Sequence, residues 1–479
     1  MKGNKLSRRD FLRLTSMAIG GGLVLAACAP QVPQTDQVAQ PAEAAKTDQS
    51  ETQTEAPPAE IITIEYWTPW GTSNEAEIQA MAAVFEEHHS NIKTNLVIGG
   101  PGGGDFNELL LARIAAGNPP DMTTLWTSPP SFGVRGALLA LDEEMATAEY
   151  ATHDAFFEGS LQTCQFKDKT YALPHSSQAA AVVYDKTWLE EKGLLSDPEE
   201  FPDTWDEIRA LSSELVEWDG DTLKVGGLIP FVSTEGTVTW LYDVWSGLNG
   251  SQLYNFDDVA YTIDDERNIE LLHYWLSWLD EQYRGDIDLV AKQGVWNSAG
   301  SQSAFVLKQT PLTVAGQWDL SYEQFREIDW ELEVARLPVG PHGTKSITGS
   351  WPNWMCVPTG AKYPKEGFLM AEAFSTYAVY KWYERVFDLP SWKDFPFDVL
   401  SRDLVANFGE EKARKMNDFW FGYREDAIVQ WASPIYDFAS DHINRVFDEV
   451  MHKVKSPEEG LAEAQQIVQP KLEETVAGL

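Results

Sequence analysis

The chain has 479 residues, with 74 acidic against 36 basic side chains and a formal net charge of −38. That imbalance excludes nucleic acid as a partner and argues against adhesion to anionic lipid. Hydrophobic content of 43% is ordinary for a globular chain, whereas 19 tryptophans are many.

In chain order, Ser7-Arg8-Arg9-Asp10-Phe11-Leu12 precedes an uncharged stretch from Leu14 to Ala27 that ends in Leu25-Ala26-Ala27-Cys28. A basic start, a short apolar core and small residues before a cut site describe a signal peptide over 1–27. A spanning helix needs ~20 apolar residues. The arginine pair resembles a twin-arginine export signal, and Leu-Ala-Ala-Cys resembles the bacterial lipoprotein box. Together they imply export and, through the lipoprotein box, that Cys28 becomes the first mature residue and carries lipid. Residues 28–60, rich in Gln, Ala, Pro, Thr and Glu, then form a disordered tether with a reach of roughly 30 Å.

Ile61–Tyr66 alternates as a strand and leads into the loop 67–74. Glu75–His89 reads as an amphipathic helix with Asn74 as its N-cap. A strand at Ile92–Ile98, a Gly-rich loop at 99–104, a helix at 105–116 and a strand at Met122–Trp126 follow. This alternation predicts a parallel sheet with helices on its faces and ligands at the carboxyl ends of its strands. Strands are expected at 170–174, 179–184, 312–315 and 332–335. Helices are expected at 186–192, 267–283, 297–308, 365–385, 402–421, 434–454 and 457–477. Thr204 with Glu207 forms a capping box. Leu271, Leu272, Trp275, Trp278 and Leu279 make one buried stripe. The folded part exceeds the size of a single core, so two domains are expected, and no internal repeat is visible. Cys164 and Cys356 are read as two buried thiols.

The order of segments resembles the extracellular solute-binding proteins of bacterial ABC importers, in the large family that includes maltose- and other sugar-binding lipoproteins. The resemblance rests on Ile61–Trp70, Ala112-Arg113-Ile114-Ala115-Ala116-Gly117-Asn118-Pro119-Pro120-Asp121, Gly136–Glu143 and Tyr171–Pro174. It continues through Val183–Leu189, with Asp185 where the family has Asn, and through Phe201–Glu207, Gly316-Gln317-Trp318, Leu337–Gly340 and Met355–Phe374. It implies an α/β, two-lobe periplasmic-binding-protein fold, type II-like, with a hinge and an interlobe cleft. Lobe 1 would take 61–172 plus 310–345, and lobe 2 would take 173–309 plus 346–479.

The implied function is capture of a carbohydrate, expected to be an oligosaccharide, in an aromatic-lined cleft that closes about the hinge. Sugars need flat aromatic plates for their C–H faces and fixed polar groups for their hydroxyls. The resemblance puts ligand contacts at Trp67, Trp70, Trp126, Ser128, His175, Ser176, Glu235, Trp240, Trp245, Trp318, Asp319, Trp351, Tyr436 and Asp437. The expected partners are the sugar and the permease subunits of an ABC transporter. The expected state is a monomer, extracytoplasmic and tied to the bacterial cell membrane (outer face or periplasm) only through lipid at Cys28. No cofactor, metal or catalytic residue is expected.

Other readings compete. A receptor for a cationic amine or polyamine would set acidic groups beside tryptophan. A secreted glycan-active enzyme would need paired carboxylates, and Asp264-Asp265 or Asp257-Asp258 sit in polar turns instead. Glu86-Glu87-His88-His89 lacks metalloprotease spacing, no Gly-x-Ser-x-Gly elbow occurs, and 99–104 lacks the trailing Gly-Lys-Ser/Thr of a phosphate loop. A purely adhesive surface protein leaves the loop tryptophans unexplained.

Overall fold

The computed structural model describes residues 60–100, 105–195, 197–232, 239–430 and 432–479. The expected signal peptide, Cys28, the tether to residue 59 and Glu235 lie outside the described residues, as does the side chain of Trp240. Among the described residues no helix is long and apolar enough to cross a membrane.

Two sheets organise the chain. Their strands are β1 (Ile62–Thr68), β2 (Ile92–Ile98), β3 (Met122–Leu125), β4 (Leu173–Ser177), β5 (Ala180–Asp185), β6 (Leu312–Gly316), β7 (Leu332–Ala335), β8 (Asn353–Cys356) and β9 (Leu389–Pro390). The larger sheet runs β9-β4-β8-β3-β1-β2, with β1 parallel to β2 and β3, and with β8 antiparallel to both β3 and β4. The smaller sheet runs β6-β5-β7, all antiparallel.

The inner strands β3, β4, β5, β6 and β8 are buried on both faces and carry hardly any charge, whereas the β1–β2 edge of the larger sheet keeps Thr63, Lys93 and Asn95 exposed. On β5, Ala180, Val182 and Tyr184 enter one core, while Ala181 and Val183, with Ala179 just before the strand, face another across the sheet. In the larger sheet Tyr66 and Met122 pack on one side, and Trp67 and Leu125 on the other. The expected stripe is present in the helix Glu266–Tyr283, where Leu271, Leu272, Trp275, Trp278 and Leu279 are fully buried. Each such indole contributes about 4–6 kcal/mol of gross transfer free energy as an upper bound.

These are the two lobes of the fold expected from the resemblance, and the crossings between them lie elsewhere than expected. The segment Leu312–Gly316, assigned to lobe 1, pairs with Ala180–Tyr184 of the smaller sheet, as does Leu332–Ala335. Asn353–Cys356, assigned to lobe 2, inserts between β3 and β4 of the larger sheet. Ser176 and Leu173 also belong to that larger sheet, so the first crossing is at Gln178-Ala179. A short buried run states that a strand has a partner but not which one.

Local corrections have local causes. The helix expected at 297–308 is a series of turns. There the Ser298 hydroxyl accepts from Gly300 N at 2.8 Å, and Ser298 N donates to Thr313 Oγ1 at 3.1 Å, so polar side chains compete with helical bonds. The long helix expected at 365–385 splits into Pro364–Ser375 and Val379–Tyr383, and that at 402–421 splits at Gly409, whose φ is +78°. Asn74 makes no side-chain cap, because the chain enters its helix through a 3₁₀ turn at Thr72–Asn74. The Thr204–Glu207 capping box is present. Cys164 and Cys356 are free and buried, and burial pushes both thiols up.

Candidate functional site

The loops after β1 and β3 of the larger sheet and after β6 of the smaller one converge on a cavity of about 640 Å³. That size suits a small-molecule ligand. Trp70 and Trp126 enter its wall from the first lobe, Trp318 from the end of β6, and Trp351 from the return crossing. Trp126 is 52% exposed, at the rim, and Trp318 and Trp351 are half-buried.

Glycine sets the pose of two of these indoles. A Cβ on Gly316 would sit less than 3.0 Å from three ring carbons of Trp318, and one on Gly349 would come within 2.6 Å of Trp351 Cη2. Each indole therefore lies flat on the Cα of the glycine two residues before it. Trp70 instead stacks on Trp382, with ring centroids 4.0 Å apart and planes 26° from parallel. Trp382 also borders the cavity. The His175 ring stands edge-on behind both, at 5.3 and 5.7 Å. Its Nδ1 bonds Phe374 O at 2.6 Å, and burial lowers its pKa to about 4, so the ring is neutral.

Beneath the plates lies Asp388, 99% buried just before β9 and also on the cavity wall. Trp382 Nε1 donates to its Oδ2 at 2.7 Å. Ser176 and Asn353 reach the same oxygen at 3.5 Å, and the amides of Gln178 and Gln317 reach Oδ1 at 3.4 Å. Burial raises its pKa to about 6, opposed by these donors. At one end Arg385 is shared between Glu77 at 3.2 Å and Asp403 at 3.1 Å, and Glu323 lines the wall nearby. Tyr322 and Gln178 add to the polar lining, with Ser73, Asn74, Ser321 and Asn353.

The remaining expected contacts do other work. Trp67 points to the opposite side of β1, where it packs with Leu110 and Leu125 while its Nε1 bonds Glu65 at 2.7 Å. Trp245 lies in the second-lobe core against Trp205 and Trp275, at 5.3 and 5.7 Å. Both are corrections: strand alternation and helical packing turn these indoles inward. Asp319 is also turned inward, accepting from Ala299 N at 2.8 Å and Ser298 Oγ at 3.3 Å, and burial raises its pKa to about 6. Ser128, Tyr436 and Asp437 belong to a separate seam between the lobes. Ser128 Oγ donates to Ser433 O at 3.0 Å, and Asp437 accepts from Thr127 and from Ser131 and pairs with Arg135 at 3.6 Å. Tyr436 borders a second cavity of about 30 Å³ beside Asp243, Tyr254 and Tyr261.

Trp382, Asp388, Asn353, Glu77, Arg385 and Asp403 were not expected at the site. Trp382 sits in an amphipathic helix, where an indole reads as core, and nothing local distinguishes Asp388. Among the described residues no group of three or more His, Cys, Asp or Glu side chains is placed to hold a metal ion.

Known proteins share this architecture. The cyclic α-maltosyl-1,6-maltose binding protein of Arthrobacter globiformis superposes with a TM-score of 0.67 at 18% identity, covering 86% of this chain and all of that one. The substrate-binding protein Lmo0181 of Listeria monocytogenes, solved in complex with cycloalternan, gives 0.66 at 17% identity over 87% of this chain and 100% of that one. A curated relative, the xylose/arabinose-binding protein XacG of Haloferax volcanii, is 29% identical over 126 residues, only 26% of this chain and 27% of that protein. Residues 68–379, more than half of the sequence, match the bacterial extracellular solute-binding protein family. With that match, and with two lobes bordering an indole-lined cavity, the chain belongs to this family.

Proposed function

We propose that this protein captures a carbohydrate, an oligosaccharide, between its lobes and presents it to the permease of an ABC importer. The observation that carries the reading is that indoles reach one cavity from both lobes: Trp70, Trp126 and Trp382 from one side, Trp318 and Trp351 from the other. Flat apolar plates beside amides and carboxylates match the alternating C–H faces and hydroxyls of a sugar ring. The named relatives that bind pentoses and cyclic glucans support the class.

A ligand that touches both lobes favours the closed state by the contacts it makes with the second lobe. His175 and Ser176 act behind the plates, and Ser128, Tyr436 and Asp437 at the seam. The site is a binding site, not a catalytic one: Glu77 and Asp403 are engaged by Arg385, and Asp388 is held by five neutral donors. Export through the twin-arginine signal and a lipid on Cys28 would hold this monomer outside the cytoplasm at the bacterial cell membrane, on its outer face or in the periplasm.

A cationic amine is the second reading, favoured by one observation. Glu77, Glu323, Asp388 and Asp403 line the cavity beside Arg385, with Arg326 paired to Glu323 and Asp403 from outside the lining. Titration calorimetry with neutral oligosaccharides and with polyamines separates the two. Micromolar binding of a glycan that Trp318→Ala weakens supports the first reading. Binding of amines alone overturns it, and turnover of a bound glycan overturns the non-enzymatic assignment.

A further inference from the structure

Trp382 and Trp70 form a two-indole plate, and one polar group fixes the Trp382 edge. That group is Asp388, whose 2.7 Å bond to the indole N–H is the shortest of its contacts. The other donors arrive from both sheets: Ser176 on β4, Asn353 on β8, Gln178 in the crossing between the sheets, and Gln317 at the end of β6. Gln317 Oε1 in turn accepts from Ala179 N at 2.8 Å, and Trp351 N donates to Gln178 O at 3.2 Å. The carboxylate therefore joins the aromatic plate to the strands that pass between the lobes.

We propose that Asp388 is a positioning residue for ligand capture: its carboxylate holds the Trp382–Trp70 plate in register with the interlobe crossing, and its ionised form sets ligand affinity. The proposal rests on the carbohydrate reading of the cavity and adds a residue that does not itself need to touch sugar. An ionised acceptor makes the stronger bond to an indole N–H, so protonating it loosens the plate. Its value of about 6 puts that change within reach of external pH. The other titratable groups around it and along the same cavity wall are His175, Asp319, Tyr322, Glu77, Glu323, Asp403 and Arg385. Burial keeps His175 neutral down to about pH 4 and raises Tyr322, while Arg385 is committed to Glu77 and Asp403. Asp319 titrates in the same range and needs its own control.

The test uses the full chain carrying ¹⁵N-labelled indoles, titrated without ligand from pH 8 to pH 4.5, with Trp382→Phe identifying the Trp382 resonance. The expected result is a shift of the Trp382 N–H with a midpoint near 6, retained in Asp319→Asn and abolished in Asp388→Asn. At pH 7.5, Asp388→Asn should weaken glycan binding about tenfold, and the loss should shrink in a Trp382→Phe background. A Trp382 resonance that ignores pH in the wild type overturns the proposal. So does an Asp388→Asn protein that keeps wild-type affinity and pH profile. If no glycan binds the wild type, the carbohydrate reading fails, and the ligand-free indole titration alone decides this inference. It also decides it if Asp388→Asn does not fold.

Discussion

Gly316→Ala is the substitution whose effect follows most directly from the geometry. Gly316 has φ −82° and ψ 155°, a conformation that alanine adopts freely, so the backbone itself is not strained. The added methyl would instead fall on the six-membered ring of Trp318. Restoring a carbon–carbon contact of ~3.5 Å requires the indole to retreat by on the order of 1.5 Å. Overpacking of this kind costs about 1–3 kcal/mol where the ring cannot move, but Trp318 is half-buried and can. Alanine also restricts the unfolded chain, which stabilises by about 0.4–1 kcal/mol, so the melting temperature should change little. Binding should change more. Displacing one plate removes an aromatic contact and part of its buried area, about 1–2 kcal/mol or a 5–30-fold loss of affinity. Calorimetry with the best-binding glycan, set beside a melting curve, reads both quantities. Wild-type affinity in Gly316→Ala, with the variant's crystal structure showing the indole displaced, would refute the reasoning.

Other expectations follow from the same contacts. Trp126→Ala, at the exposed rim, should weaken ligand binding with a stability change within about 0.5 kcal/mol, read by melting. Trp382→Ala should lose binding and also about 3–5 kcal/mol of stability in urea unfolding, because the ring is buried. Asp319 has its pKa raised from 3.8 to about 6 by burial. The folded state therefore holds its proton more tightly than the unfolded one. The stability this contributes is complete below pH 3.8 and is lost as pH rises through about 6. Asp319→Asn should remove that decline and gain up to about 3 kcal/mol at pH 8, measured by denaturant unfolding across pH. The thiols of Cys164 and Cys356 should resist a thiol reagent in the native protein and react fully in denaturant, since both are buried.

What was legible in the sequence was local. Trp318 and Trp351 each follow a glycine by two residues, and Gly-x-Trp at the end of a strand is the pattern that places an indole flat against bare backbone. The capping box at Thr204 and the stripe from Leu271 to Leu279 are likewise short-range features, and both are present. Strand partners were not legible. Leu312–Gly316 and Asn353–Cys356 change lobes because pairing is decided by long-range register, which a short buried run does not encode. Direction was lost where neighbours decide it. Trp67 and Trp245 resemble the cavity tryptophans in composition and differ only in the face they present. Trp382 and Asp388 were missed for the converse reason: each gains its place through partners more than two hundred residues away along the chain, such as Ser176 and Gln178 for Asp388.

The central claim is that a glycan lies between the lobes, held by indoles contributed from each. A crystal structure grown with an oligosaccharide that the protein binds in solution tests it most directly. The account predicts sugar rings in the cavity between Trp318 and Trp351 on one side and the Trp70–Trp382 pair on the other. Sugar bound on the outer surface, or in the cavity with those four indoles all beyond contact, would contradict it.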